Sequence, residues 1–491
     1  MRVINYNSQS MPFYQKPLVI LAAALILPPV GLALLWLRKS LSVLKRALVS
    51  LPIVAAGIAH LFLFYGLQME LSGGVHPIFY FGGGERRYRI LEESRAAQKA
   101  LPPATGSTYW TDYRGPNRLG HYDQASILTT WPAAGLPRVW KQPVGGGYAS
   151  FTAANGLAFT IEQRRGNEVV AAYDIVSGSE RWTNAWPAAF REAMGGDGPR
   201  STPVWDDGRV YALGATGELR CLEAATGKVV WNKNILADNG ARNLQWGMAG
   251  SPLIVDGKVI VTPGGPGGHS VVAYDKLSGQ RVWSSLDDQA SYASAVVVTV
   301  AGRRQLLVVT ASRVVGLTVE DGKLLWESPW VTHMGINCTE PMVVGPNRVY
   351  VSSGYGHGAI VLELVPRGDG FEARKVWANL RMKNKFNAPV LYEGYMYGLD
   401  EGILACIDVA TGDLKWKGGR YGYGQLLLAS AHLIVLTEDG DVVLVRAAPD
   451  RFQEVSRFTA LSGKTWNNPA ISDGILLVRN ETEMAAFRIG M

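Results

Sequence analysis

AAYDIVSGSERW, residues 171–182, sets an acid, a glycine and a tryptophan at fixed spacing: Asp174, Gly178 and Trp182. The alternation of Val170, Ala172 and Asp174 reads as a strand. Asp174 then opens a turn, because its carboxylate can accept backbone N–H bonds. Gly178 supplies the positive φ that other residues resist. The strand that follows carries the tryptophan. The unit is therefore a hairpin with an aromatic anchor on its second strand.

The same spacing recurs in RCLEAATGKVVW (220–231), VAYDKLSGQRVW (272–283), VGLTVEDGKLLW (315–326) and ACIDVATGDLKW (405–416). Each copy sets its glycine four residues before its tryptophan: Gly178/Trp182, Gly227/Trp231, Gly279/Trp283, Gly322/Trp326 and Gly412/Trp416. Four residues before the glycines stand Asp174, Glu223, Asp275, Thr318 and Asp408. Looser copies place Trp140 in PRVWKQP, Trp377 in FEARKVWANL and Phe458 in EVSRFTAL. The eight anchors lie 39 to 52 residues apart, which suits one four-stranded blade each. Full burial of a tryptophan removes about 150–250 Å² from water, worth on the order of 4–6 kcal/mol as an upper bound. The anchors are expected to pin each sheet to the next. The chain ends in strands without a tryptophan strand, and PRVWKQP is such a strand without a blade. The two ends are expected to share the closing blade and so remove exposed sheet edges.

The expected fold is thus all-β, an eight-bladed propeller over residues 109–491. The repeat resembles the quinoprotein-type propeller, the PQQ-like repeat with its tryptophan docking motif. Quinoprotein alcohol dehydrogenases and BamB-type outer-membrane assembly proteins share that repeat. The resemblance implies the fold but leaves the function open, because the same blades serve enzymes and scaffolds.

Residues before 109 have a different character. PLVILAAALILPPVGLALLWL (17–37) carries no charge, nor does ALVSLPIVAAGIAHLFLFYGL (47–67), a proton on His60 aside. Each is about 20 residues, enough to cross a bilayer core. A small-residue cleavage site is missing between them, which argues against a signal peptide. The intervening RKSLSVLKR holds Arg38, Lys39, Lys45 and Arg46, whereas residues 68–84 hold no Lys or Arg. Positive charge stays in the cytoplasm. A transmembrane helical hairpin (17–37 and 47–67) is therefore expected, with Pro28 and Pro29 kinking its first helix. Residues 1–16 and everything after 67 are expected outside the cytoplasm. This implies the bacterial inner membrane, with the propeller in the periplasm or beyond. Residues 68–108 read as a connector, with a solvated helix over 84–101 and a PPATGS linker. The aromatic, turn-rich YWTDYRGPNRLGHY (109–122) is expected to pack against the propeller.

The net charge of +7 is scattered rather than striped, so nucleic acid is not an expected partner. Each blade opens with one residue before its first strand: Ser150, Thr202, Ser251, Ser294, Glu340, Ala388, Gln425 and Asn468. The loops ahead of them are expected to meet on one axial face. They bring together Tyr148, Asp197, Arg200, Trp246, Tyr292, Asn337, Glu340, Lys385, Asn387, Tyr423, Trp466 and Asn467. Planar aromatics beside amides and cations suit a flat, anionic ligand such as a quinone carboxylate. The alternative is that these side chains plug the channel and bond one another. Glu340 with Asn337 is the best oxygen pair for Ca²⁺; Asp197 and Asp400 are the other acids near the loops. The resemblance implies PQQ with Ca²⁺, but the adjacent cysteine pair of the well-known alcohol dehydrogenases does not occur here. No zinc cluster and no Ser/His/Asp set is readable, and PGGPGG (263–268) lacks the lysine and helix of a phosphate loop. Cys221 and Cys406 fall in blades 2 and 6, too far apart to pair, and Cys338 lies near the axis; three free thiols are expected. Two function classes stay open. One is a membrane-tethered binding or scaffold module with envelope protein partners. The other is an extracytoplasmic PQQ-dependent oxidoreductase. A ligand sensor coupled to the membrane helices is a third.

Overall fold

The computed structural model describes residues 12–64, 67–71, 76–81, 85–98, 102, 105–192 and 194–490. The chain divides into two compact units, residues 1–70 with 77–87 and residues 71–76 with 88–491.

The first unit contains α1 (Pro17–Ile26), α2 (Pro28–Leu37) and α3 (Val43–Phe64). The expected single span over 17–37 is not one helix. It breaks at Leu27, whose φ of −138° and ψ of 80° are non-helical, and Pro28 and Pro29 start α2 afresh. The chain folds back there instead of kinking. Gln15 beside the start of α1 donates from Nε2 to the Leu37 carbonyl at the end of α2, at 3.4 Å. Gly31 lies so close to Ala24 that a side chain there would collide with the Ala24 backbone. The fold-back follows from proline chemistry: each ring lacks the N–H that would continue α1. The second span begins earlier than expected, at Val43, and among the described residues α3 is the one helix long and apolar enough to cross a membrane. The part of the expected span at 65–66 lies outside the described residues, and Leu67–Leu71 pairs with Pro77–Phe81 in a two-stranded ribbon.

In the second unit, α4 (Glu85–Ala96) contributes its end: Arg95 donates to Gln142 Oε1 (2.9 Å) and to the Pro143 carbonyl (2.8 Å). Eight antiparallel sheets follow among the described residues. They span 152–187, 204–234, 253–285, 296–329, 342–379, 390–420, 425–459 and 470–488. The last takes Arg138–Pro143 as its fourth strand, with Ala486 opposite Trp140, so both ends of the propeller sequence share the closing blade. This is an eight-bladed β-propeller of four-stranded blades; blade 7 gains a fifth, parallel strand from His121–Tyr122.

Each repeat glycine works on the tryptophan of the preceding blade. A Cβ on Gly178 would stand 2.7 Å from the Trp140 indole, one on Gly279 2.8 Å from Trp231, and one on Gly322 2.7 Å from Trp283. These glycines also hold φ between +71° and +74°. The indole N–H then donates to the carbonyl just after the turn acid: Trp140 to Ile175 (2.8 Å), Trp182 to Ala224 (2.9 Å), Trp231 to Lys276 (3.0 Å) and Trp377 to Val409 (2.9 Å). Asp174 in turn accepts from the Val176 and Ser177 amides at 3.1 and 2.8 Å. The small residue two before the turn acid is the cross-strand partner of the tryptophan, as in Ala172–Trp182, Cys221–Trp231 and Cys406–Trp416, and a bulge follows it. Trp326 departs from the pattern. Blade 5 closes its outer hairpin at Arg367–Gly370 and has no acid-to-glycine turn, so the Trp326 indole donates inward to Gln305 Oε1 (2.7 Å).

The blade-opening residues form a belt around the axis. The Ser150 amide donates to Thr202 Oγ1 (2.9 Å), the Thr202 amide to Ser251 Oγ (2.9 Å) and the Ser251 amide to Ser294 Oγ (3.0 Å). The Ser294 amide continues to Glu340 Oε1 (3.3 Å), and Ser150 Oγ donates back to the Asn468 carbonyl at 2.5 Å. Residues 109–122 pack as expected, but on the axis itself. Arg118 donates to the carbonyls of Ser251 (3.3 Å), Ala295 (2.8 Å) and Pro252, and Arg114 to that of Pro389 (2.9 Å). The strap thus bonds to backbone carbonyls at the start of three blades, at Ser251 and Pro252, Ala295 and Pro389.

Two tests follow from these contacts. Gly279→Ala should destabilise the propeller by more than Gly208→Ala. Gly208 has the same positive φ but nothing within 4 Å, so its cost is the backbone term of roughly 1–2 kcal/mol. Equal urea midpoints would mean that the Trp231 contact does not constrain Gly279. The second test concerns Glu168, fully buried between blades 1 and 2, which accepts from the Ala215 amide (2.7 Å) and Trp186 Nε1 (3.1 Å). Burial pushes its carboxyl up to about 7 from 4.5. The folded state keeps this proton where the unfolded chain has lost it. Its contribution is therefore fully present below pH 4.5 and is lost as pH rises through 7, by about 3 kcal/mol. Thermal midpoints should fall between pH 5 and 8, less so in Glu168→Gln; an unchanged slope in the variant would assign the loss elsewhere.

Candidate functional site

Above the strap, on the face where the blade-to-blade loops meet, lies a cavity of about 460 Å³. Its lining includes Tyr113, Tyr148, Trp246, Tyr292, Tyr355, Phe386 and Trp466, with Arg200, Lys385, Cys338 and Glu340 among them. Trp466 is the centre of one aromatic group, 5.2 Å from Tyr148 and 4.6 Å from Phe386 between ring centroids. Trp246 and Tyr292 form the other, at 5.9 Å. Trp466 is fixed by its indole N–H, which donates to Glu438 Oε1 at 2.9 Å.

The cations sit against rings. Arg200 lies 5.5 Å from the Tyr148 centroid and 4.5 Å from that of Phe190, and it donates to the Gly196 (2.6 Å) and Gly198 carbonyls. Lys385 Nζ is 4.9 Å from the Tyr355 ring and 4.7 Å from that of Tyr423. Burial lowers the pKa of both Arg200 and Lys385. Burial also pushes Tyr292 and the Cys338 thiol up to about 12. The cavity thus disfavours charge of either sign that arrives without a partner. Glu340 is its one lining carboxylate; Oε1 takes the Ser294 amide and Oε2 is buried without a hydrogen bond.

Of the twelve candidate residues, Tyr148, Arg200, Trp246, Tyr292, Glu340, Lys385 and Trp466 meet in this cavity. Tyr423 stands behind it, its ring 5.5 Å from Phe386. The other four serve the framework. Asp197 accepts from the Glu192 amide (3.3 Å) as a turn cap. Asn337 is tied to the Thr310 carbonyl (2.9 Å) and Ser353 Oγ (2.7 Å), Asn387 accepts from Asn384 (2.9 Å), and Asn467 donates to the Gly147 and Ala149 carbonyls at 3.1 and 2.9 Å. Asn337 therefore does not join Glu340 in an oxygen pair. Asp400 is held by Lys417 at 2.7 Å. Among the described residues no group of three His, Cys, Asp or Glu could hold a metal. A flat polyanion fits the rings and the two cations, whereas the Ca²⁺ expected to accompany PQQ does not fit this donor set.

Sequence reasoning missed Tyr113, Tyr355 and Phe386. Phe386 lies in the loop MKNKFN (382–387), just ahead of the blade-opening Ala388. Tyr355 comes from the turn between the second and third strands of blade 5, which opens on the same face as the inter-blade loops. Tyr113 arrives on the strap, where no repeat register points to it.

The three cysteines are free, with Cys221 and Cys406 buried in blades 2 and 6 and Cys338 partly exposed. Alkylation at pH 7 without reductant should modify Cys338 first and slowly, because its thiol stays protonated. The other two should react only after denaturation, and reductant should change no mass. A Cys221–Cys406 disulfide would overturn the blade assignment.

The repeat has known relatives. The family model described as outer membrane protein assembly factor BamB matches residues 166–418. The BamB of Bordetella pertussis is 23% identical over 328 residues, 65% of this chain and 78% of that protein. The quinohemoprotein alcohol dehydrogenase of Comamonas testosteroni is 32% identical over 125 residues, 23% of this chain and 16% of that enzyme. The crystal structure of BamB from Moraxella catarrhalis superposes with a TM-score of 0.50 at 16% identity, covering 72% of this chain and 97% of that one. The glycine–tryptophan blades described above are thus those of the PQQ-like propellers, and the chain belongs to the BamB-type family of that repeat.

Proposed function

We propose that the protein is a membrane-anchored, extracytoplasmic binding or scaffold module of the cell envelope, and that its axial cavity takes a flat, anionic aromatic ligand. The observation that carries this reading is the cavity itself, which the rings of Tyr113, Tyr148, Trp246, Tyr292, Tyr355, Phe386 and Trp466 line together with Arg200, Lys385 and Glu340. Stacking supplies affinity for a planar ligand. The two cations, weakened by burial, gain most when an anion arrives beside them. The apolar α3 supports the anchor. The name of its BamB relatives, assembly factors for outer membrane proteins, supports an envelope protein as a partner on the exposed blade faces.

The local likeness to a quinohemoprotein alcohol dehydrogenase keeps a second reading open, a PQQ-dependent oxidoreductase. If PQQ is bound, Arg200 and Lys385 would hold its carboxylates and Trp246 and Trp466 its ring faces. The quinone would supply the redox chemistry. The chain's own part is then to orient the ring system and exclude water.

Titration of the purified full chain with PQQ, with and without Ca²⁺, read by tryptophan fluorescence, tests both readings. Saturable quenching is expected without a Ca²⁺ requirement. Lys385→Ala should weaken it about tenfold or more, the worth of one charge-assisted bond. Trp466→Ala should weaken binding more than it lowers the thermal midpoint. No quenching by PQQ or other aromatic carboxylates would refute the ligand site. Alcohol-dependent dye reduction by the PQQ- and Ca²⁺-loaded chain would favour the oxidoreductase.

A further inference from the structure

We infer that α1 and α2 form a re-entrant hairpin in one leaflet, that α3 alone crosses the bilayer, and that residues 12–16 therefore lie on the cytoplasmic side. The inference rests on reading α3 as a membrane span. It reverses the side expected for the N-terminal residues of an anchor with two full spans.

Length comes first. α1 and α2 have ten residues each, about 15 Å at 1.5 Å per residue, half of a hydrocarbon core of about 30 Å. The 22 residues of α3 reach about 33 Å. Four contacts fix the direction of the short pair. The Gln15–Leu37 bond brings the open end of the hairpin together. At that same end Arg46, near the start of α3, donates to the Trp36 carbonyl (3.0 Å), and the Trp36 indole donates to Ser50 Oγ (3.0 Å). The closed end lies farther along α3: a Cβ on Gly57 would stand 3.3 Å from Pro28. Gly57 is about 21 Å above Val43. The reversal at Leu27 therefore sits inside the apolar layer, and both ends of the pair sit at one surface.

Backbone chemistry permits that reversal in lipid. A new helix start normally leaves four N–H groups without partners, and each is costly in hydrocarbon. Pro28 and Pro29 have no N–H to leave. The next two amides, of Val30 and Gly31, both donate to the Leu27 carbonyl, at 2.9 and 3.1 Å. All four donors are accounted for. The outer faces are apolar: Leu18, Leu21, Leu25 and Ile26 are 78%, 56%, 62% and 69% exposed, as suits side chains solvated by acyl chains.

Charge gives the side. Lys16, Arg38, Lys39, Lys45 and Arg46 flank the open end, on the short segments before α1, between α2 and α3 and in the first turn of α3. A 17–37 span would put Lys16 and Arg38 on opposite sides of the membrane. The fold-back gathers all five on one, and the positive-inside rule makes it the cytoplasmic one.

Single cysteines at Tyr14, Ser42 and Ser278, introduced into the full chain and read over its native-thiol background, test this with a membrane-impermeant maleimide on intact spheroplasts and again after permeabilisation. Tyr14→Cys and Ser42→Cys should both label only after permeabilisation, and Ser278→Cys before it. Labelling of Tyr14→Cys but not Ser42→Cys in intact spheroplasts would overturn the re-entrant pair while leaving the anchor intact. Release of the chain from membranes by alkaline carbonate would refute the anchor and the inference with it.

Discussion

The hydrogen bond from a tryptophan indole to the carbonyl behind the next blade's turn acid is the contact on which the rest depends. Sheets packed face to face have no intrinsic register around a ring. The indole supplies one, because for Trp140, Trp182, Trp231 and Trp377 its N–H meets that carbonyl at 2.8–3.0 Å while its face meets a glycine of the next blade. The acid fixes the turn that offers the carbonyl, the glycine clears the space, and the small cross-strand residue lets the ring lie down at the bulge. These features are one device, which explains why they recur together and why the glycine serves the neighbouring blade's tryptophan rather than its own.

The ring that this device closes has a second, inner set of bonds. The side chains of Thr202, Ser251, Ser294 and Glu340 each accept an amide from the blade before, in a belt inside the ring. Below, Arg114 and Arg118 satisfy the inward-facing carbonyls that a bare channel would leave to water. The strap therefore does more than connect. It also carries Tyr113 into the lining of the axial cavity.

The propeller was legible because its signal is periodic and glycine has few substitutes where φ is positive and an indole lies overhead. Blade count, closure by PRVWKQP and the free cysteines all follow from that register. Two things were not legible. Asn337, Asn387 and Asn467 stand in the right loops, but a short amide is as easily turned to backbone carbonyls as to a cavity, and only packing decides. The α1–α2 break was misread because hydropathy sums over 21 residues and does not register that two prolines in the middle end one helix and start another. Trp326 shows the same limit: its own copy is intact, but the partner turn it needs belongs to blade 5.

Burial dominates the electrostatics of the axial cavity. A general acid or base works when its pKa lies near the operating pH and a second group opposes it. Here burial moves Tyr292 and Cys338 up to about 12, away from neutrality, and lowers Arg200 and Lys385 against the opposing pull of nearby acids, Glu481, Glu192 and Asp197 on Arg200 and Glu438 and Glu401 on Lys385. Glu340 spends one oxygen on the belt and leaves the other buried without a bond. Such a site combines buried cations with rings in one lining. On the reading proposed above, a planar anion would gain from both.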